Sequence, residues 1–167
     1  MSDNLAVIKS IIEAHHTIKG HLKLVGDSET DLEAMFSLQK AHAEWSLSSM
    51  EALAENQKKL QQNLSALEEG LKNHFRLEQK SLPPLLGELL MLALSLDHQE
   101  IGKLIGQAKS MVAETRLEEL NQEKLLSKKS EIQQLVSNIL QKVEEHAAKE
   151  ETVLKMVQRA LESKQSK

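Results

Sequence analysis

Residues 64–84 read LSALEEGLKNHFRLEQKSLPP. Leu64, Leu67, Leu71, His74, Glu78 and Leu82 recur at steps of three and four, which is the period of one helix face. Pro83-Pro84 then stops the helix, because proline donates no amide hydrogen and restricts the residue before it. Two polar residues, His74 and Glu78, thus stand where the pattern calls for leucine. Residues 136–154, VSNILQKVEEHAAKEETVL, repeat the arrangement with His146 and Glu150. Counting from each histidine, Leu64 matches Val136, Leu67 matches Ile139, Leu71 matches Val143, and Leu82 matches Leu154.

Working outward, the segment before each His-x-x-x-Glu helix carries one histidine on its own apolar stripe. The first, helix A, has Ile8, Ile11, His15, Ile18, Leu22 and Val25, with Ser2 or Asp3 as cap. The third, helix C, starts directly after Pro83-Pro84 and has Met91, Leu94, His98, Ile101, Ile105, Ala108 and Val112. Helix B is the leucine stripe from Leu60 to Leu82. Helix D follows a turn near Leu120-Asn121-Gln122-Glu123, with Ile132, Val136, Ile139, Val143, His146, Glu150, Val153 and Val157. Gly26-Asp27-Ser28-Glu29-Thr30 reads as a break, so residues 26–50 are expected to form an extra helical segment between helices A and B, with Trp45 as its packing anchor. The expected fold is all-α: one domain over residues 1–167, an antiparallel up-down-up-down four-helix bundle with that insertion and a polar tail at 162–167.

Composition narrows the function. There are no cysteines, so disulfides, thiolate zinc sites, iron–sulfur clusters and cysteine nucleophiles are excluded. One Trp, two Phe and no Tyr leave no stacking platform for bases. With 21 Lys+Arg against 25 Asp+Glu, net −4, there is no basic stripe for nucleic acid. The apolar run Leu89 to Leu96 is far short of the roughly 20 residues that cross a bilayer. No secretory leader is evident after Met1, so a cytoplasmic protein is expected. No nucleophile or general base is identifiable outside the histidine and glutamate set, which argues against a hydrolytic enzyme. The long stripes of helices C and D would allow a homodimer.

Six polar residues therefore share the core stripes: His15, His74, Glu78, His98, His146 and Glu150. Residues i and i+4 lie about 6 Å apart on one helix face, so each His/Glu pair points a ring and a carboxylate at the bundle axis. Buried, unpartnered carboxylates cost several kcal/mol each. Few stripe lysines or arginines could neutralise them; a pair of divalent ions could. The ligand type favours iron, with manganese and zinc as alternatives. His16 lies one position off the stripe, His21 and His42 read as surface residues, Glu100 faces solvent, and Glu151 is at most a partner of a ligand. A metal-free bundle with polar core residues is the competing reading.

The segments Ile11-Ile12-Glu13-Ala14-His15-His16-Thr17-Ile18, His74-Phe75-Arg76-Leu77-Glu78, Asp97-His98-Gln99-Glu100-Ile101 and His146-Ala147-Ala148-Lys149-Glu150 resemble the hemerythrin-like, or HHE cation-binding, domain. The resemblance spans the chain apart from residues 26–50. It implies a four-helix bundle around two non-haem iron ions, with His15, His74, His98 and His146 as terminal ligands and Glu78 and Glu150 bridging. It further implies binding or sensing of a diatomic gas, oxygen or nitric oxide, or a part in a redox or iron response, or alternatively iron storage, donation or iron-centre repair. Oxygen-carrying members have another histidine one turn after the helix C ligand, where this chain has Gly102. The acid that usually follows the first His-x-x-x-Glu is Gln79 here. The family's aromatic pocket lining is largely missing, so the pocket is expected to be lined by Leu, Ile and Met.

Overall fold

The computed structural model describes residues 2–41, 47–114 and 122–165, and among them there is no strand. Five helices follow in order: α1 (Ser2–Ala41), α2 (Leu47–Ser81), α3 (Pro83–Leu86), α4 (Glu88–Glu114) and α5 (Gln122–Gln165). Helices A, B, C and D of the sequence reading correspond to α1, α2, α4 and α5. No helix among the described residues is long and apolar enough to cross a membrane.

The stripes are buried because the four long helices turn these apolar faces against one another. α1 packs on α2 and α5, and α4 packs on the same two. Contacts along each pair run in opposite residue order. On α1 and α2, His15 meets His74 while Ser28 meets Asn63. On α2 and α4, Glu78 meets His98 while Glu68 meets Lys109 at 3.1 Å. On α4 and α5, Asp97 meets His146 while Glu100 meets Lys142 at 3.1 Å. Near the end of the α5 stripe the fully buried residue is Leu154, and Val153 is half-buried.

The expected break at 26–30 does not exist. α1 runs through it, and the 26–50 segment is not a separate element: residues 26–41 belong to α1 and 47–50 to α2, with Trp45 and His42 outside the described residues. Turn-forming residues are tolerated there because their hydroxyls fold back onto the helix. Ser28 Oγ donates to the Leu24 carbonyl at 2.8 Å and Thr30 Oγ1 to the Gly26 carbonyl at 2.9 Å. The buried stripe also continues across, from Val25 through Ser28 and Glu29 to Leu32. The fifth helix lies elsewhere: α3 starts on Pro83 after Leu82, and Gly87 at φ +80 separates it from α4.

The core falls into two clusters. The larger holds Leu22, Val25, Leu60, Leu64, Ile105, Val136 and Ile139, among others. The smaller is built on Ile8, Ile11, Leu82 and Leu154. His15, His74, His98 and His146 occupy the level between them, flanked by Ile11 and Ile18 on α1 and by Leu71 and Leu82 on α2.

Two glycines should respond oppositely to alanine. At Gly87 the left-handed backbone disfavours any Cβ, although the space is open; Gly87→Ala should cost about 1 kcal/mol. Gly102 is within α4, again with open space around a Cβ; Gly102→Ala should add roughly 0.5–1 kcal/mol. Urea unfolding of the two variants against the parent chain checks both signs.

Candidate metal centre

The structure brings all six sequence-selected residues together. α1 contributes His15, α2 His74 and Glu78, α4 His98, and α5 His146 and Glu150, and all six are buried. His16 is exposed, which supports the choice of His15; Glu100 is exposed and pairs with Lys142. His21 departs from expectation: it is half-buried, its ring leaning on Gly70, where an added Cβ would lie 3.3 Å from His21 Cδ2.

The side chains divide into two groups that share both carboxylates. His15 and His74 form one with Glu78 and Glu150; His98 and His146 form the other with the same two glutamates. Within each group one ligand atom per residue lies within 4.8 Å of all the others. The paired Nε2 atoms are 3.1 Å apart in both groups. Glu78 turns Oε1 to His74 Nε2 and Oε2 to His98 Nε2, the latter at 3.1 Å. Glu150 turns Oε1 to His15 Nε2 at 3.2 Å and Oε2 to His146 Nε2 at 3.1 Å. Each carboxylate therefore reaches from one group to the other.

The donor set fits cations. Glu78 is completely buried, and neither of its oxygens has a hydrogen-bond partner; Glu150 Oε2 has none either. Carboxylates buried this way are destabilising unless a positive charge sits among them. Imidazole nitrogen mixed with carboxylate oxygen is a donor set for divalent transition metals.

Protons supply the positive charge when metal does not. Burial pulls the His74 pKa down, but the Glu150 and Glu78 carboxylates that face it outweigh this and raise it from 6.5 to about 9. His146 is raised too, with burial opposing and Glu150 and Asp97 prevailing. Burial pushes Glu150 up, and the facing imidazoles of His146, His15 and His74 overcome it, so its carboxyl is held well below the ordinary range.

Behind the groups, two imidazoles are held at Nδ1. Glu151 Oε1 lies 2.9 Å from His15 Nδ1, and Asp97 Oδ2 lies 3.0 Å from His146 Nδ1. Such bonds place the proton on Nδ1 and leave the Nε2 lone pair for a metal. His74 Nδ1 and His98 Nδ1 are buried with no hydrogen-bond partner. Phe75 stacks on His98 with centroids 3.6 Å apart and planes at 8°, and stands edge-on to His146. The sequence reading missed Asp97 and Phe75, although each directly adjoins a selected histidine.

A groove of about 380 Å³ between α1 and α5 reaches His15 and Glu151. Its walls include Ile18, Leu22, Val143, Ala147 and Ala148, with Lys19 and Glu144 also lining it. Leu and Ile line this groove and Met does not, while an aromatic ring, Phe75, lies against the site on its other side.

The family model for the hemerythrin HHE cation binding domain matches residues 6–157. No curated protein and no solved structure matches the chain. The match and the buried histidine and glutamate groups together point to a metal cation.

A pH dependence follows from His74. A folded-state pKa raised from 6.5 to about 9 contributes stability in full below pH 6.5, and that contribution is lost as pH rises through 9. The chelator-treated chain should therefore lose stability between these limits in denaturant titrations. Metal competes with the same proton, so metal affinity should rise over that span. Flat stability from pH 6.5 to 9 would exclude a protonated His74 between the carboxylates.

Proposed function

We propose, given that the chain belongs to the hemerythrin HHE cation-binding family, that it holds two non-haem iron ions and binds or senses a diatomic gas, oxygen or nitric oxide. The supporting observation is the sharing of Glu78 and Glu150 between two histidine pairs. His15 and His74 would hold one ion, His98 and His146 the other, with the carboxylates bridging. The opposite residue order along each packed helix pair supports an antiparallel up-down-up-down bundle as the frame.

When bound, an iron pair would supply redox and small-ligand-binding chemistry at this site. The chain's own residues supply the rest. Glu151 and Asp97 keep the protons of His15 and His146 on Nδ1. Glu78 and Glu150 would offset two of the four positive charges of two divalent ions, and Glu151 and Asp97 stand behind the histidines as two further acids. Ile18, Leu22, Val143 and Ala147 give the groove beside His15 an apolar wall, which admits a small uncharged molecule more readily than an ion.

Gly102 stands where oxygen carriers of the family have one more histidine, so the ligand set is four histidines and two glutamates. That set favours sensing over bulk oxygen carriage. A cytoplasmic location completes the reading. Exposed Leu89, Leu92 and Leu96 on α4, spaced as in a coiled-coil seam, support the homodimer.

Elemental analysis of the aerobically purified chain should give two irons per chain, with near-ultraviolet charge-transfer absorption. His74→Ala and Glu150→Ala should each lose at least one of them. The ferrous protein should take up nitric oxide in proportion to its iron. Full metal content in both variants, or no metal after ferrous reconstitution, would overturn the reading.

A further inference from the structure

The repeat extends beyond the six buried residues. Counting from His74 and His146, Gln79 corresponds to Glu151; counting from His15 and His98, Ala14 corresponds to Asp97. Glu151 on α5 holds Nδ1 of His15 on α1. The equivalent bond would run from residue 79 on α2 to His98 on α4. Asp97 on α4 holds His146 on α5, and its equivalent would run from residue 14 on α1 to His74 on α2. The first half of the chain has Gln and Ala at these two positions. The two Nδ1 atoms without partners are those of His98 and His74. The repeat thus accounts for which imidazoles lack a carboxylate behind them.

His98 is nonetheless fixed. Gln79 is exposed, and Phe75, four residues earlier on the same face of α2, lays its ring flat against the imidazole, 3.6 Å between centroids. A face-to-face stack fixes the plane of a ring, as a hydrogen bond does, but accepts no proton and adds no charge. We infer that Phe75 is the positioning residue for His98, aligning by contact the imidazole that Gln79 leaves without a carboxylate. This rests on the paired-metal reading above. Its consequence is an uneven centre, in which the His98 side rests on a flat stack while the same ring stands tilted and farther off, 6.1 Å from His74, on the His15 side.

The test is iron release from the loaded chain to a chelator, followed by absorbance. Phe75→Leu should release one of the two ions about tenfold faster, the lower end of the loss usual when a group behind a metal ligand is removed. The other ion should leave at the parent rate. Phe75→Tyr, which keeps the stack, should behave as the parent. Adding Gln79→Glu to Phe75→Leu should restore slow release, because the carboxylate can accept a hydrogen bond from Nδ1–H of His98. Equal release from Phe75→Leu and the parent, or a double variant as fast as Phe75→Leu, would overturn the assignment. Should Phe75→Leu not fold, Phe75→Met carries the test: faster release of one ion supports the inference and parent-rate release of both overturns it. A parent chain without two ions sinks the paired-iron reading and the positioning role with it. Two ions whose release ignores residues 75 and 79 sink only the positioning role.

Discussion

Two carboxylates and four imidazoles lie in the middle of an apolar core, and that arrangement is destabilising unless positive charge is placed among them. The surrounding structure follows from this constraint. Each long helix gives up at least one core position to a polar ligand type, and the four helices must hold these positions at one level. The i,i+4 spacing on α2 and α5 lets each contribute a ring and a carboxylate without bending. The leucines and isoleucines above and below fix the height of the layer.

The balance between proton and metal is the chemical expression of the same constraint. With protons alone, His74 is forced to stay charged far above the ordinary histidine range. A divalent cation satisfies the same oxygens and frees the nitrogens to act as donors. The fold therefore does not choose between an empty and a filled interior; it chooses which cation fills it. Membership of a cation-binding family agrees with this reading of the interior.

Much of this was legible in the residue order. A 3.6-residue period is a strong signal when each stripe extends over several turns, and polar residues inside it are conspicuous. All six candidates meet, because helix faces are set by local spacing and the short Pro83-Pro84 connection leaves little freedom in how α2 and α4 approach. The supposed break at Gly26 to Thr30 misled because Ser28 and Thr30 favour turns only when their hydroxyls have no better acceptor, and here they find the preceding helical turn. α3 and the left-handed Gly87 were missed because a single turn has no period to detect. Asp97 and Phe75 were missed for another reason. Their roles depend on how one helix is rotated against its neighbour, and no pattern within one helix encodes that.

The polar layer also divides the core into unequal parts. The smaller cluster rests on four fully buried side chains and their half-buried neighbours, and its apolar contacts do not continue through the layer of histidines and glutamates. Such a division sets up two units of cooperativity, the smaller able to open while the larger holds. A metal pair bonded to four helices at the boundary would act as a rivet between them. Bound cations would then govern whether the molecule melts in one transition or two, making the sharpness of unfolding, as much as its midpoint, a measure of occupancy.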